Sequence, residues 1–547
     1  MINSKDFLNS IDKEFWNTVT KRLKYEDVIK FNDVEKESFL VALINEINSY
    51  NYNVSTPNYS FLPKNNGVLR RIKVFNIKDF SVYYYCVKKL QDELSKKINQ
   101  IKNVFGGFKF SSDNKSITKN FFHGLQQESE YEVLLSKYEF RKDWSDYQNM
   151  AKEAYNDGYK YFLHIDIAHF YDDINLDILE RFIRNGINDK SNIIDLLFNF
   201  LRLSDKKDIG YSSNNVGIPQ EELGAMSRIL ANFYLVRFDE EIIKYLNNFL
   251  GIDKYVYLRY SDDMWICFND KKIYANNIIQ KSSLLLNKLK LHINQKTKVY
   301  TRKGFEDYWM FNEWDIVHTN KKNKKYLLSK YFLFIKHKKG RWSSISKYIM
   351  KVIISDKKNL SLFQSYSEGR DLLFSLIDNP DFSLNLEEKH YRFLVELIHI
   401  YPKLIDEMMK YIYGPNNIYP NVEHFILNLL IKSPYNKSIL NFMIRYLSHK
   451  KENVFHWYSR CLCIKYICKN LSNIRNKGLY IKHLNSIILA NISRVFNEYE
   501  RRYIIYFLYL YGDIASEKII MKYFQLPNDL AFIGFLKNKP IVQRGKK

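Results

Sequence analysis

The segment "YLRYSDDMWICF", residues 257–268, sets two adjacent aspartates, Asp262 and Asp263, inside a run of aromatic and apolar residues. Adjacent carboxylates repel, and taking them out of water is costly unless positive charge balances them. A divalent cation supplies that balance. Two such cations, held about 4 Å apart by carboxylates, stabilise the attacking and leaving oxygens of phosphoryl transfer. Mg²⁺ takes oxygen ligands and keeps several waters, so a few carboxylates suffice. A third carboxylate is available at Asp166, the single charged residue of "YFLHIDIA". Alone, an Asp-Asp pair also reads as a solvated turn, and that alternative stays open on these residues.

The elements that must position these groups follow from periodicity. "YVYLRYSDDMWICF" reads as two β runs flanking Ser-Asp-Asp, a hairpin that puts the carboxylates at a sheet edge. "KYFLHIDIAHFYDDI" opens as a strand, and "DILERFIRNGI" follows as a helix. "GIPQEELGAMSRILANFYLVRFDEEIIKYL" starts as a Gly-Pro loop and becomes a long amphipathic helix. Upstream, "FLPKNNGVLRRIKVF" reads as a hairpin around Asn-Asn-Gly, and a helix is expected over 82–102 with Val82, Cys86 and Leu90 on one face. After about residue 330 the β signal fades. Segments such as "NVEHFILNLLIKS" and "NKSILNFMIRYLSH" succeed one another as helices, with Asn421 and Asn436 as expected caps.

Composition bounds the classes. The chain has 547 residues, which predicts more than one domain, and 46% are apolar, which speaks against disorder. The formal net charge of +24 favours a polyanionic partner, nucleic acid before an acidic membrane surface. Aromatics reach 16%; base stacking would use some of them, and an AT-rich genome explains most. Five cysteines without metal-ligand spacing suggest a reducing compartment. The start, "MINSKDFLNSIDKEF", lacks the apolar run of a signal peptide, and no apolar stretch approaches the ~20 residues that span a bilayer. A cytoplasmic protein without membrane contact is expected.

Taken together and in order, these blocks resemble the reverse transcriptase family: "FLHIDIAHFYDDI", "GIPQ" with "SRILANFYL", "YSDD", "LKLHINQKTK", and upstream "FLPKNNGVLRRIKVFNIKDFSVYY" and "FGGFKF". The resemblance covers roughly residues 55–300. It implies an α+β fold: a right-hand polymerase fingers–palm over 1–315, followed over 316–547 by an all-α helical-repeat, HEAT-like C-terminal domain that replaces or extends the thumb. It implies that Asp166, Asp262 and Asp263, with the Ile167 carbonyl, bind Mg²⁺ or Mn²⁺. Lys64 and Arg70 match the residues that hold the incoming triphosphate, with Arg71 competing. Tyr171 matches the steric gate that favours deoxynucleotides, Gln220 a glutamine beside the nucleotide, and Lys296 a general acid for pyrophosphate. Each also has a plainer reading: solvated hairpin charges for Lys64, Arg70 and Arg71, core packing for Tyr171, a helix cap for Gln220, a surface turn for Lys296.

The sequence departs from the family where Pro219-Gln220 is followed by Glu221 and Glu222 rather than glycine, with Ser227 seven residues after Gln220. No Phe-Leu-Gly block follows "LKLHINQKTK"; "KGFEDYWMF" holds its place. These departures and the helical tail resemble the abortive-infection reverse transcriptases of bacterial antiphage defence. That resemblance implies dNTP polymerisation that needs no template, DNA covalently attached to a protein side chain, and homo-oligomers. The alternatives are a conventional RNA-templated reverse transcriptase of retron or group II intron type, and a non-catalytic nucleic-acid-binding assembly protein on the same scaffold. Basic runs at 321–325, 336–341 and 543–547 are candidate backbone contacts.

Overall fold

The computed structural model describes residues 1–21, 33–63, 69–106, 137–187, 190–204, 215–220, 224–336, 342–383, 386–448, 453–473, 477–491, 497–511, 518 and 522–537. The chain divides into two compact units. The first holds the described residues of 1–57 and 73–311, and the second those of 58–72 and 312–537.

The first unit is built on a six-stranded sheet. Its strands are β3 (Val104–Phe105), β4 (Tyr161–Ala168), β5 (Tyr255–Tyr260), β6 (Asp263–Phe268), β7 (His292–Ile293) and β8 (Lys298–Thr301). The order is β3-β5-β6-β4-β7, with β8 also paired to β4. β4, β5 and β6 form the antiparallel centre, and β3 joins β5 in parallel. Both faces are covered, so the central strands are apolar almost throughout. On one face Leu163, Ile165, Ile167, Met264 and Ile266 join a large core with the helices Ile77–Ile98, Ser191–Leu203, Ala225–Tyr234 and Tyr274–Lys288. On the other, Phe162, Leu258, Trp265 and Cys267 pack with Tyr147, Phe305 and Trp309 from the helices Lys137–Asn156 and Arg302–Trp309. Phe162 and Phe305 stack at 3.9 Å.

The helix expected over 82–102 runs Ile77–Ile98, capped by Asn76, whose side chain accepts the Asp79 amide. Val82 to Val87 are all buried, rather than one stripe of three. This helix packs against both Ser191–Leu203 and Ala225–Tyr234, which leaves that stretch no solvent face.

The second unit is helical from residue 312 on, and among the described residues no strand follows Thr301. Successive helices pack on their chain neighbours: Lys324–Lys336 on Trp342–Ile354, then Pro420–Lys432, Lys437–Ser448 and Glu498–Tyr511 on Asn453–Asn470. Such short-range packing is the pattern of stacked helical arrays. Asn436 caps its helix through the Ser438 amide at 2.7 Å. Asn421 does not cap: Pro420 occupies the first helical turn, and Asn421 is buried, donating to the Pro380 carbonyl at 2.8 Å. Proline suits that position because its missing N–H would be unpaired there in any case. The hairpin β1 (Asn58–Pro63) and β2 (Leu69–Val74) is the only sheet outside the first among the described residues, and residues 58–72 group with the helices of this unit. All five cysteines are free. Among the described residues no helix is long and apolar enough to cross a membrane.

Candidate active site

The carboxylates gather because of register. In the β4–β6 ladder Asp166 lies opposite Asp263, and in the β5–β6 hairpin Tyr260 lies opposite Asp263. The connection is therefore a two-residue turn, Ser261–Asp262, and Asp263 is the first residue of β6 rather than part of the turn. Two-residue turns match strand twist when the leading residue takes positive φ. Ser261 does so, at 58°, which is uncommon for a residue with a side chain. Ser261 is buried; Asp262, Asp263 and Asp166 are half-buried.

Period-two alternation places Phe162, His164 and Asp166 on one face of β4, and Asp263, Trp265 and Cys267 on the same face of β6. His164 was not singled out in the sequence, yet its Nε2 lies 2.6 Å from an Asp263 carboxylate oxygen. Its ring stacks on Trp265 at 4.6 Å. The signal available was its position, two residues before Asp166 on the same strand.

Asp166 is held through its backbone. Its carbonyl accepts the Asn294 amide at 2.7 Å, and its own amide donates to Thr297 Oγ1 at 3.3 Å. Asn294–Thr297 is the turn between β7 and β8, and it carries Lys296, whose side chain is exposed. Ile167 is paired with Ile293 of β7 and buried.

Beneath the turn lies a buried network that the sequence reading also passed over. Arg259 donates to Asp239 from Nε at 2.8 Å and Nη2 at 2.6 Å, and from Nη1 to Asn232 Oδ1 at 2.8 Å and the Ser261 carbonyl at 2.9 Å. Tyr257 donates to the same Asp239 at 2.6 Å. The Arg259 and Asp239 side chains are both 0% exposed, so the pair is compensated wholly inside the protein. A lone arginine in the β-prone "YVYLRY" was the available signal. Phe105 and Gly106 join the same network: the Gly106 carbonyl accepts from Asn232 at 3.0 Å, its amide donates to Asp143 at 2.9 Å, and the Ser261 amide reaches the Phe105 carbonyl at 3.4 Å. Gly106 has a φ of 89°, which glycine adopts without penalty.

Tyr171 follows β4 in the short helix Phe170–Asp173 and is half-buried. Burial raises its hydroxyl pKa, opposed by Arg228 and by hydrogen bonding with Ser261, while the Asp262 charge adds to the rise. Tyr171 is thus a neighbour of the Ser261–Asp262 turn, and Arg228 is a cation beside it. The Gly-Pro loop is laid along Tyr171–Asn175: Ile218 donates to the Tyr171 carbonyl at 2.9 Å and Gly217 to the Ile174 carbonyl at 2.8 Å. Gln220 donates to Asp172 Oδ1 at 3.3 Å, and its carbonyl accepts the Lys73 amide at 2.8 Å. Ser227 donates to the Pro219 carbonyl and lies 2.9 Å from the Tyr83 hydroxyl. Arg70 is exposed on β2. Arg71 lies over the Tyr59 ring at 4.5 Å, which commits it to the hairpin itself. Lys64 lies outside the described residues, as do Glu221, Glu222, 337–341 and 543–547.

Residues 79–338 match the family model described as reverse transcriptase (RNA-dependent DNA polymerase). These residues form a reverse transcriptase domain. No curated protein matches the chain. Among solved structures, apo telomerase from Candida tropicalis truncated from its C-terminal domain is similar at 16% identity and a TM-score of 0.30, over 48% of this chain and 55% of that one. This chain therefore spans little more than half the length of that relative. Telomerase from Candida albicans, in complex with a TWJ fragment of telomeric RNA, is similar at 11% identity and a TM-score of 0.32, over 83% and 71%.

Reverse transcriptase domains work with divalent cations, and the residues here suit one in kind. Asp166, Asp262, Asp263 and the Ile167 carbonyl offer oxygen donors only, the set that hard cations prefer. Among the described residues no three His, Cys, Asp or Glu side chains are gathered closely enough to hold a cation as they stand. One Asp263 oxygen faces His164 instead. Directly opposed residues of an antiparallel pair sit about 4.5–5.5 Å apart at Cα, so side-chain rotation alone gathers Asp166 and Asp263.

Proposed function

We propose that the chain is a DNA polymerase of reverse-transcriptase type acting in abortive-infection phage defence. Its fingers and palm lie within 1–315, and the helical domain over 316–547 replaces or extends the thumb. In this reading Asp166, Asp262, Asp263 and the Ile167 carbonyl hold two Mg²⁺ or Mn²⁺ ions, which when bound lower the charge barrier to attack on the α-phosphate of a dNTP. Lys64 and Arg70 orient the triphosphate, Arg70 as a bidentate fork. The Tyr171 ring occupies the space of a ribose 2′-OH, and Gln220 lies against the nucleotide. A 3′-OH, or a protein hydroxyl at initiation, forms the new P–O bond as the bond to pyrophosphate breaks. Lys296 gives that leaving group its proton.

One observation carries the polymerase reading: the register that sets Asp166 opposite Asp263, with Asp262 on the turn between strands, inside a reverse transcriptase domain. Support for the defence role, protein priming, untemplated synthesis and homo-oligomers is narrower. It consists of Glu221-Glu222 where the resembled family has glycine, and of the long helical C-terminal half. The test is incubation of the purified protein with each dNTP, with and without RNA, read by intact mass spectrometry. Added nucleotide mass without RNA, absent in Asp262→Asn/Asp263→Asn, is the expected result. Incorporation only with RNA selects the conventional enzyme, and none under any condition selects the non-catalytic scaffold.

A further inference from the structure

His164 is a buried residue beside the carboxylates to which the polymerase reading gives no part. In the β4–β6 ladder it lies opposite Trp265, two residues from the Asp166–Asp263 pair. His164 and Asp263 are therefore diagonal neighbours on one face of the sheet, a spacing that aromatic side chains span. The His164 Nε2 meets Asp263 Oδ1 at 2.6 Å. An ionised carboxylate only accepts, so Nε2 is the donor and the bond is charge-assisted. All of these residues belong to the first unit.

Packing fixes the direction of that donor. The imidazole stacks on Trp265 at 4.6 Å, and Tyr308 of the helix Arg302–Trp309 lies 5.9 Å from it. Trp265 is fully buried and packs in turn against Phe305 at 4.8 Å and Tyr308 at 5.2 Å. The Asp263 main chain is pinned by its pairing with Asp166 and Tyr260. A rigid donor thus grips a short side chain on a fixed backbone. The Asp263 side chain is 25% exposed, so without that grip its other staggered rotamers open to it. A carboxylate has about four acceptor positions over its two oxygens, and the His164 bond takes one. The bond therefore leaves Asp263 able to ligate and sets its orientation, the part that hydrogen-bonding partners of metal-bound carboxylates play.

Resting on the polymerase reading, we infer that His164 is a positioning residue for the divalent cation, acting through Asp263. It orients the carboxylate before a cation arrives and so sets how much cation the site needs.

The probe is Mn²⁺ alone, titrated into the full-length protein and read as loss of the free-ion EPR signal, which needs no turnover. His164→Phe keeps a ring for Trp265 and loses the donor, while His164→Gln keeps a donor at similar reach. The Kd for Mn²⁺ is expected to rise about ten-fold in His164→Phe and to stay within about two-fold of wild type in His164→Gln. His164→Asn, too short to span the contact, should weaken binding as phenylalanine does, and it replaces that variant if the latter does not fold. In an Asp263→Asn background, His164→Phe should change the Kd by less than about two-fold, because the carboxylate it acts through is gone. In dNTP incorporation, half-saturating Mg²⁺ should rise about ten-fold, with kcat at saturating Mg²⁺ within about two-fold. An unchanged Mn²⁺ Kd in the phenylalanine and asparagine variants overturns the inference. So does tighter binding, which makes His164 a competitor for Asp263, or an equal loss in the Asp263→Asn background, or a wild type that binds no Mn²⁺. A wild type that incorporates no dNTP overturns the polymerase reading instead, and the Mn²⁺ comparison still decides the role of His164.

Discussion

The Arg259–Asp239 pair offers the sharpest test of how the Ser261–Asp262 turn is built. Replacing Arg259 with Met leaves a buried, hydrogen-bonded carboxylate without its cation; replacing Asp239 with Leu leaves a buried guanidinium. Both side chains are fully buried, with two direct contacts at 2.6 and 2.8 Å. Each single change should therefore cost about 3–5 kcal/mol. Additivity would make the double variant about 6–10 kcal/mol less stable. The structure argues otherwise, because the double variant removes both charges together. What remains unpaired is Asn232 Oδ1, the Ser261 carbonyl and the Tyr257 hydroxyl, at about 1 kcal/mol each. The double variant should thus settle about 3 kcal/mol below wild type, above both singles or level with the milder one. Urea unfolding followed by tryptophan fluorescence reads this, since Trp144, Trp265 and Trp309 lie in the adjoining core. Activity should not return with stability, because Ser261 has lost the bond that steadies its positive-φ turn. Singles within about 1 kcal/mol of wild type, or a double variant at the additive sum, would refute the compensation argument. Full incorporation by the double variant would refute the role given to the turn.

Two further outcomes follow from residues of the first unit. Burial raises the Asp79 carboxyl to about 6, against hydrogen bonds from Tyr52 and Ser55. The folded state then holds its proton more tightly than the unfolded chain, so this contribution is complete below about pH 4 and lost as pH rises through 6. The span is roughly 3 kcal/mol, and Asp79→Asn should remove that slope when its pH–stability curve is subtracted from wild type. At Gly217, φ is 94° and an added Cβ would lie 3.1 Å from the Asp172 carbonyl oxygen. Gly217→Ala should cost about 1–2 kcal/mol and lower incorporation, while Gly534→Ala, helical and with nothing within 4 Å, should leave both unharmed.

The sequence alone determined the local pieces. Alternation in "YFLHIDIA" and "YVYLRYSDDMWICF" marks the strands, lone carboxylates mark their ends, and the loss of β signal after 330 marks the helical half, because each is set by neighbours a few residues away. Only the tertiary structure decided the partners. That Asp263 faces both Asp166 and His164, that Arg259 finds Asp239, and that Tyr59 is held by Trp457 across 398 residues depend on register and packing. A one-residue slip of β4 against β6 would turn His164 and Asp166 to the opposite face and leave every local pattern in the sequence unchanged.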